Sequence, residues 1–137
     1  EHAVLAGLIH NIGVLPIIEL ASHDSTLLPD IKSLRDITRE IQAPVGNKIL
    51  SFWNFPQSLI DVASQWNNFN RTHDAGADYV DLVQAAILHT QHAAEYAPEN
   101  WSDIPAIHKL GLDPTIRTFD ETMQATLDET RDSLMTL

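Results

Sequence analysis

Ala3-Val4-Leu5-Ala6-Gly7-Leu8-Ile9-His10-Asn11-Ile12-Gly13 is an apolar run that ends on an imidazole, an amide and a glycine. Val4, Leu5, Leu8 and Ile12 recur at helical spacing, which predicts a first helix from about Glu1 to His10 with that stripe facing inward. Gly13 interrupts the helix, and Pro16, whose fixed φ suits a first turn, permits a short continuation from Val14 to Ala21. A His-Asp doublet at such a helix end makes a metal site when His and Asp residues of neighbouring helices complete the cage. Here the second residue is Asn11. An uncharged amide is a much poorer ligand for a divalent ion than a carboxylate, so the bridging anion is lost.

Outward from that run the helical period continues, and no alternation lasts long enough for a half-buried strand. Ser22 to Pro29 reads as a loop. Asp30 or Ser33 can cap the next helix through Ile41, with Ile31, Leu34, Ile37 and Ile41 as its inward face. Pro44 suits the first turn of a further helix carrying Ile49, Leu50 and Trp53, and Asn54 to Pro56 ends it. Another helix follows Pro56 and Ser58 with Leu59, Val62, Ala63 and Trp66 as its apolar set, and Asn67 to Gly76 is a loop. The longest apolar helix is expected from about Asp78 to Ala97, with Val80, Val83, Ile87 and Ala94 in register. Ser102 can cap a short helix toward Leu110, with Gly111 as its left-handed C-terminal residue. A last helix is expected over Thr118 to Leu137, its outer face acidic with Asp120, Glu121, Asp128, Glu129 and Asp132. The fold class is all-α, a compact multi-helix bundle.

A chain of 137 residues, 44% hydrophobic, is long enough to close one core without disulfides or a structural metal. It has no cysteine, which excludes thiol chemistry and thiolate metal sites. Eight Lys and Arg against 19 Asp and Glu give a net charge of −11, which disfavours nucleic acid and anionic lipid surfaces as partners. The richest apolar window, Ala3 to Leu20, is broken by Gly7, His10, Asn11, Gly13, Pro16 and Glu19, so no membrane span is expected. The first residue, Glu1, reads as the start of a processed chain or of a piece cut from a longer one.

The residues from Ala3 to Gly13, the run Gly46-Asn47-Lys48-Ile49-Leu50-Ser51-Phe52-Trp53-Asn54-Phe55-Pro56 and the apolar helix Val80 to Ala94 together resemble the HDOD domains. These look like non-catalytic relatives of the HD-type metal-dependent phosphohydrolases. The Trp-Asn-x-Pro run is the more specific of the motifs. The resemblance implies an HD-like helical domain over residues 1–137, the C-terminal part of a longer HDOD region, because the family's usual N-terminal helical half is absent. Carried across residue by residue from the HD relatives, every metal position but His10 has lost its ligand. The doublet's acid falls on Asn11, the histidine before the family's glycine near Gln42, the paired histidine after Trp-Asn-x-Pro near Gln65 and Trp66, and the late aspartate near Ala86. Val14 replaces the Lys or Arg common after the doublet.

No catalytic residue, metal or cofactor is therefore expected, and His10 alone reads as a buried or capping histidine. His10, Asn11, Gln42, Trp53, Gln65 and Trp66 are the candidates for a vestigial pocket, with Trp53 and Trp66 read first as core anchors. His89, His92 and Glu95 are a weaker metal candidate, since the third lies well round the helix from the first two. His73-Asp74 repeats the doublet's letters, but in a polar loop where nothing is expected to hold it rigid. The acidic last helix reads as a solvated face that could meet a basic partner. The resemblance implies a bacterial, cytoplasmic signal-transduction module that binds a protein partner, or a small ligand. The alternative is a divergent HD phosphohydrolase that uses His10.

Overall fold

The computed structural model describes residues 1–24, 26, 30–90 and 93–116. The expected last helix, with its acidic residues, and His92 lie outside these. Among the described residues the regular structure is helical: α1 (His2–Ile9), α2 (Val14–His23), α3 (Ile31–Phe52), α4 (Gln57–Gln65), α5 (Tyr79–Leu88), α6 (Ala93–Tyr96), a 3₁₀ turn (Trp101–Asp103) and α7 (Pro105–Lys109). One apolar cluster joins Ala6 and Ile9 of α1 to Leu50 of α3, Leu59, Val62 and Ala63 of α4, Trp66, and Val80 and Val83 of α5. A second gathers Phe69, Leu88, Trp101, Ile104, Ala106 and Ile107.

The centre of the fold is a set of close approaches to α3. A Cβ on Gly13 would collide with the Gln42 carbonyl, and one on Gly46 would lie 3.2 Å from Ala63 Cβ. Two glycines thus let α3 touch the α1–α2 joint on one side and α4 on the other. Asn47 then fastens α3 to α4, donating from Nδ2 to Ser64 Oγ at 2.7 Å. The Trp-Asn-x-Pro run is the joint between the same two helices. Asn54 takes φ +56°, and its N–H and that of Phe55 donate to Ser51 and Leu50 carbonyls. That is a Schellman closure with asparagine in the left-handed position, followed directly by Pro56 as N-cap of α4. Gly111, at φ +66°, closes α7 in the same way.

Several expectations change. Helix α3 runs unbroken through Pro44, which sits inside it rather than opening a new helix. Pro44 and Glu40, whose carbonyl loses its helical partner, are both exposed, so water can satisfy that oxygen. Asp30 caps α3, accepting from Ser33 N–H at 2.7 Å. The long helix expected to Ala97 ends at Leu88 and resumes only as α6. The end is set by packing, since buried His89 lies edge-on to Trp101 with centroids 5.6 Å apart. Asn100 rather than Ser102 caps the 3₁₀ turn, and Pro105 opens α7.

The inward faces of α1 and α3 also differ from the periodic reading. Ala6 and Ile9 are the buried residues of α1, with Leu5 and Ile12 packed partly behind them. Val4, Leu8, Leu15, Ile18 and Leu20 are 51–73% exposed, and Ile31, Ile37 and Ile41 of α3 are exposed too. Almost every residue of α1 is apolar, so periodicity cannot choose the face; the small Ala6 wins because α4 and α5 approach closely there. The stretch His2–His23 has mean hydropathy 1.8 over 18 residues, long and apolar enough to cross a membrane by composition, with 22% of that window buried.

Candidate functional site

The α1–α2 joint sets the site. His10 caps α1, and its Nδ1 lies 2.6 Å from the Gly7 carbonyl, which fixes the proton on Nδ1 as donor to that oxygen. Burial holds the imidazole below the ordinary histidine pKa, and the Gly7 hydrogen bond opposes this only in part. The ring is edge-on to Trp66 at 5.0 Å, Trp66 is edge-on to Tyr96 at 5.1 Å, and Arg39 Cζ lies 5.7 Å from the Tyr96 centroid. Trp66 is 2% exposed, and its indole N–H has no hydrogen-bond partner among the described residues.

Beyond Tyr96 and Arg39, between α2 and α3, opens a cavity of about 300 Å³. Its polar side is Asn11, Arg35, Thr38, Arg39, Gln42 and Tyr96. Its apolar lining is Val14 and Ile18 of α2 and Ile31 and Leu34 of α3, the last two one turn before Arg35 and Thr38 on the same helix. No carboxylate of a described residue lines the cavity.

Of the six sequence candidates, Asn11 and Gln42 meet on this cavity, and His10 and Trp66 stack behind it. Gly13 against the Gln42 carbonyl is what brings them together. Gln65 and Trp53 are elsewhere. Gln65 Oε1 accepts from Arg71 Nε at 2.8 Å, and its backbone carbonyl accepts from Gln84 Nε2. Trp53 is 56% exposed at the end of α3, against Phe55 alone of the aromatic rings, and is not a core anchor. Asn11 does not take a left-handed conformation; Asn54 does. Sequence reading missed Arg35 and Arg39, whose i, i+4 spacing on a helix face was the available signal.

A second constellation was also missed. His73 is held firmly, but by Asp78 and Asp81 rather than by Asp74, which is exposed. Its Nε2 lies 3.1 Å from Asp81 Oδ2, and Lys109 Nζ donates to the His73 carbonyl at 2.7 Å. Asp78 and Asp81 form a capping box for α5. The ligand atoms of His73, Asp78 and Asp81 lie within 4.8 Å of one another, so the three could share a cation. Arg71 competes for the same oxygens. Its Nη2 is 2.5 Å from Asp78 Oδ2, and its Nη1 is 3.1 Å from Asp78 Oδ1 and 3.6 Å from Asp81 Oδ1. Burial alone would raise the Asp78 carboxyl, but the Arg71 hydrogen bonds, the Asp81 N–H and the charges of Arg71 and His73 outweigh it and hold it below its ordinary value. The candidate of His89, His92 and Glu95 includes His92, which lies outside the described residues; the helix expected to carry it ends at Leu88.

An all-α bundle with a histidine-amide doublet at the α1–α2 joint belongs to the HD class by architecture while lacking the carboxylates of a metal centre there. The chain belongs to the HDOD domain family, whose sequence model matches residues 1–69. It is also similar to a solved structure from Shewanella amazonensis SB2B, provisionally described as a metal-dependent phosphohydrolase, with 28% identity and TM-score 0.64. That match covers 80% of this chain and 36% of the other, so the chain spans little more than a third of that protein's length. No curated protein matches the chain significantly.

The metal that the HD class implies does not fit at the doublet. With Nδ1 donating to Gly7, His10 offers Nε2 as one neutral ligand, but the adjoining cavity adds only neutral amides and hydroxyls and two guanidiniums, with no carboxylate of a described residue to complete a site.

Proposed function

We propose that this domain is a non-catalytic regulatory module that acts by binding, within a bacterial cytoplasmic signalling protein. The observation that carries this reading is the lining of the α2–α3 cavity: two arginines and, at the two positions onto which the resemblance carries metal ligands, the amides Asn11 and Gln42, with no carboxylate among the described residues. Val4 and Leu8 of α1 and Leu15, Ile18 and Leu20 of α2, all exposed, support a protein partner as well, since large apolar side chains exposed in such number are a common docking feature. Metal analysis of the purified chain, with phosphate release from mono- and diester substrates in added Mn, Mg, Fe or Zn, tests the reading. Sub-stoichiometric metal and no release are expected. Stoichiometric metal lost on His10→Ala would overturn it.

One observation favours the second reading, a divergent phosphohydrolase. His73, Asp78 and Asp81 could hold a cation, and the solved relative is described as acting through a metal. In that case His73→Ala, not His10→Ala, would abolish metal binding and activity together.

A further inference from the structure

From the α2–α3 cavity we infer a binding site for a small phosphate monoester, of the size of a mononucleotide, held by Arg35 and Arg39. The inference rests on the reading that this end of the bundle binds rather than hydrolyses.

Arg35 and Arg39 stand one turn apart on α3, and each lines the cavity. Neither makes a side-chain hydrogen bond or ion pair with a described residue, whereas Arg71 and Lys109 are both engaged. The nearest acids of their own helix, Asp36 and Glu40, line a neighbouring groove with Arg39 and are absent from this cavity. In a chain of net charge −11, a cavity lined, among the described residues, by two cations and no anion is a local reversal of sign. Screening over about 8 Å at physiological salt leaves that local pair, rather than distant acids, to set the field inside.

Gln42 supplies a second, independent indication. It is 4% exposed, lines the cavity, and its side-chain amide has no hydrogen-bond partner among the described residues. Its amide atoms are not among the fully enclosed unpartnered ones, so they open to the cavity and are free to meet a ligand there. Together with Asn11 and Thr38 it offers donors beside the guanidiniums. The cation–π contact with Tyr96 restrains Arg39, leaving the edges of its guanidinium to make paired hydrogen bonds.

Charge and size select the ligand. Two guanidiniums match a phosphate monoester dianion, whereas a carboxylate neutralises only one. Four apolar residues in the lining, Val14, Ile18, Ile31 and Leu34, suit a body attached to that head rather than a bare ion. A volume of about 300 Å³ is at the small end for a ligand pocket, which suits one nucleotide and is cramped for two.

Titration calorimetry of the 137-residue chain with AMP, adenosine, inorganic phosphate, acetate and a cyclic dinucleotide tests this. AMP should bind saturably and at least about tenfold tighter than adenosine or acetate, as expected for a charge-assisted pair. Arg35→Gln and Arg39→Gln should each weaken AMP by about tenfold or more, while Lys48→Gln, an exposed residue of the same helix outside the cavity, leaves it unchanged. Thermal unfolding of each variant confirms that it is folded. No saturable binding of AMP or phosphate by the folded chain, binding that survives the double arginine variant, or tighter binding of the dinucleotide would each overturn the inference. Absence of AMP binding together with absence of metal removes the ligand only and leaves the binding-module reading in place. Hydrolysis of AMP dependent on added metal would sink that reading but keep the anion site.

Discussion

Replacing Gly13 by alanine should destabilise the protein although the backbone conformation alone predicts the reverse. Gly13 lies at φ −63° and ψ −16°, a helical conformation that any residue adopts. On backbone entropy alone, Gly13→Ala would stabilise by about 0.4–1 kcal/mol. The added Cβ, however, would fall onto the Gln42 carbonyl oxygen, 2.7 Å from Gly46 N and 2.8 Å from Gln42 C. All of these are backbone atoms of α3, so no rotamer change relieves the overlap. The α1–α2 joint must move until the contact reaches about 3.5 Å, which opens the packing beneath it. Overpacking costs about 1–3 kcal/mol, and a collision with backbone belongs at the upper end. The expected net loss is about 2 kcal/mol, or a Tm lower by about 4–8 °C for a chain of this size. Gly7→Ala is the matched control, because nothing lies within 4 Å of its added Cβ and it sits at an exposed position inside α1. It should gain about 0.5–1 kcal/mol and raise Tm by a few degrees. Both variants are compared by circular dichroism in thermal and urea unfolding. A Gly13→Ala protein as stable as the parent, with Gly7→Ala behaving as stated, would refute the close approach on which the site geometry depends.

Three further outcomes follow from the same contacts. Trp66→Ala should cost about 3–5 kcal/mol, whereas Trp53→Ala should stay within about 1 kcal/mol, because only the first is enclosed; equal losses in denaturant titrations would contradict this. Arg71→Met should destabilise by about 3 kcal/mol, since Asp81, with a side chain 1% exposed, loses its guanidinium. Added Mn²⁺ or Zn²⁺ should then raise the Tm of this variant more than that of the parent, because the three ligands are freed; no difference between the two proteins would argue against any cation geometry there. His10, with its folded pKa below 6.5, binds fewer protons folded than unfolded, so stability should fall as pH drops below 6.5 and level off below the folded value. Asp78, also lowered, contributes stability above 3.8 that is lost as pH falls through its folded value. His10→Gln should flatten the first of these slopes in urea midpoints measured across pH, leaving the second.

Residues close in sequence carried a good deal. The helical period fixed an all-α fold, Asp30 and Gly111 marked helix ends by their own chemistry, and the loss of a carboxylate at Asn11 was visible in one letter. The motif around Trp53 was legible as a family mark, although its physical role is to turn α3 into α4 through the left-handed Asn54. What local sequence could not settle was any choice made by distant backbone. Which stripe of the nearly all-apolar α1 faces inward depends on how closely α4 and α5 approach, and whether Pro44 breaks a helix depends on water reaching the Glu40 carbonyl. His73 gains its partners only because the loop folds back onto the capping box of α5. Arg35 and Arg39 look in sequence like part of a solvated, mixed-charge helix face. They become a paired cationic wall only because Gly13 lets α2 lie against α3, leaving Asp36 and Glu40 off the cavity they share.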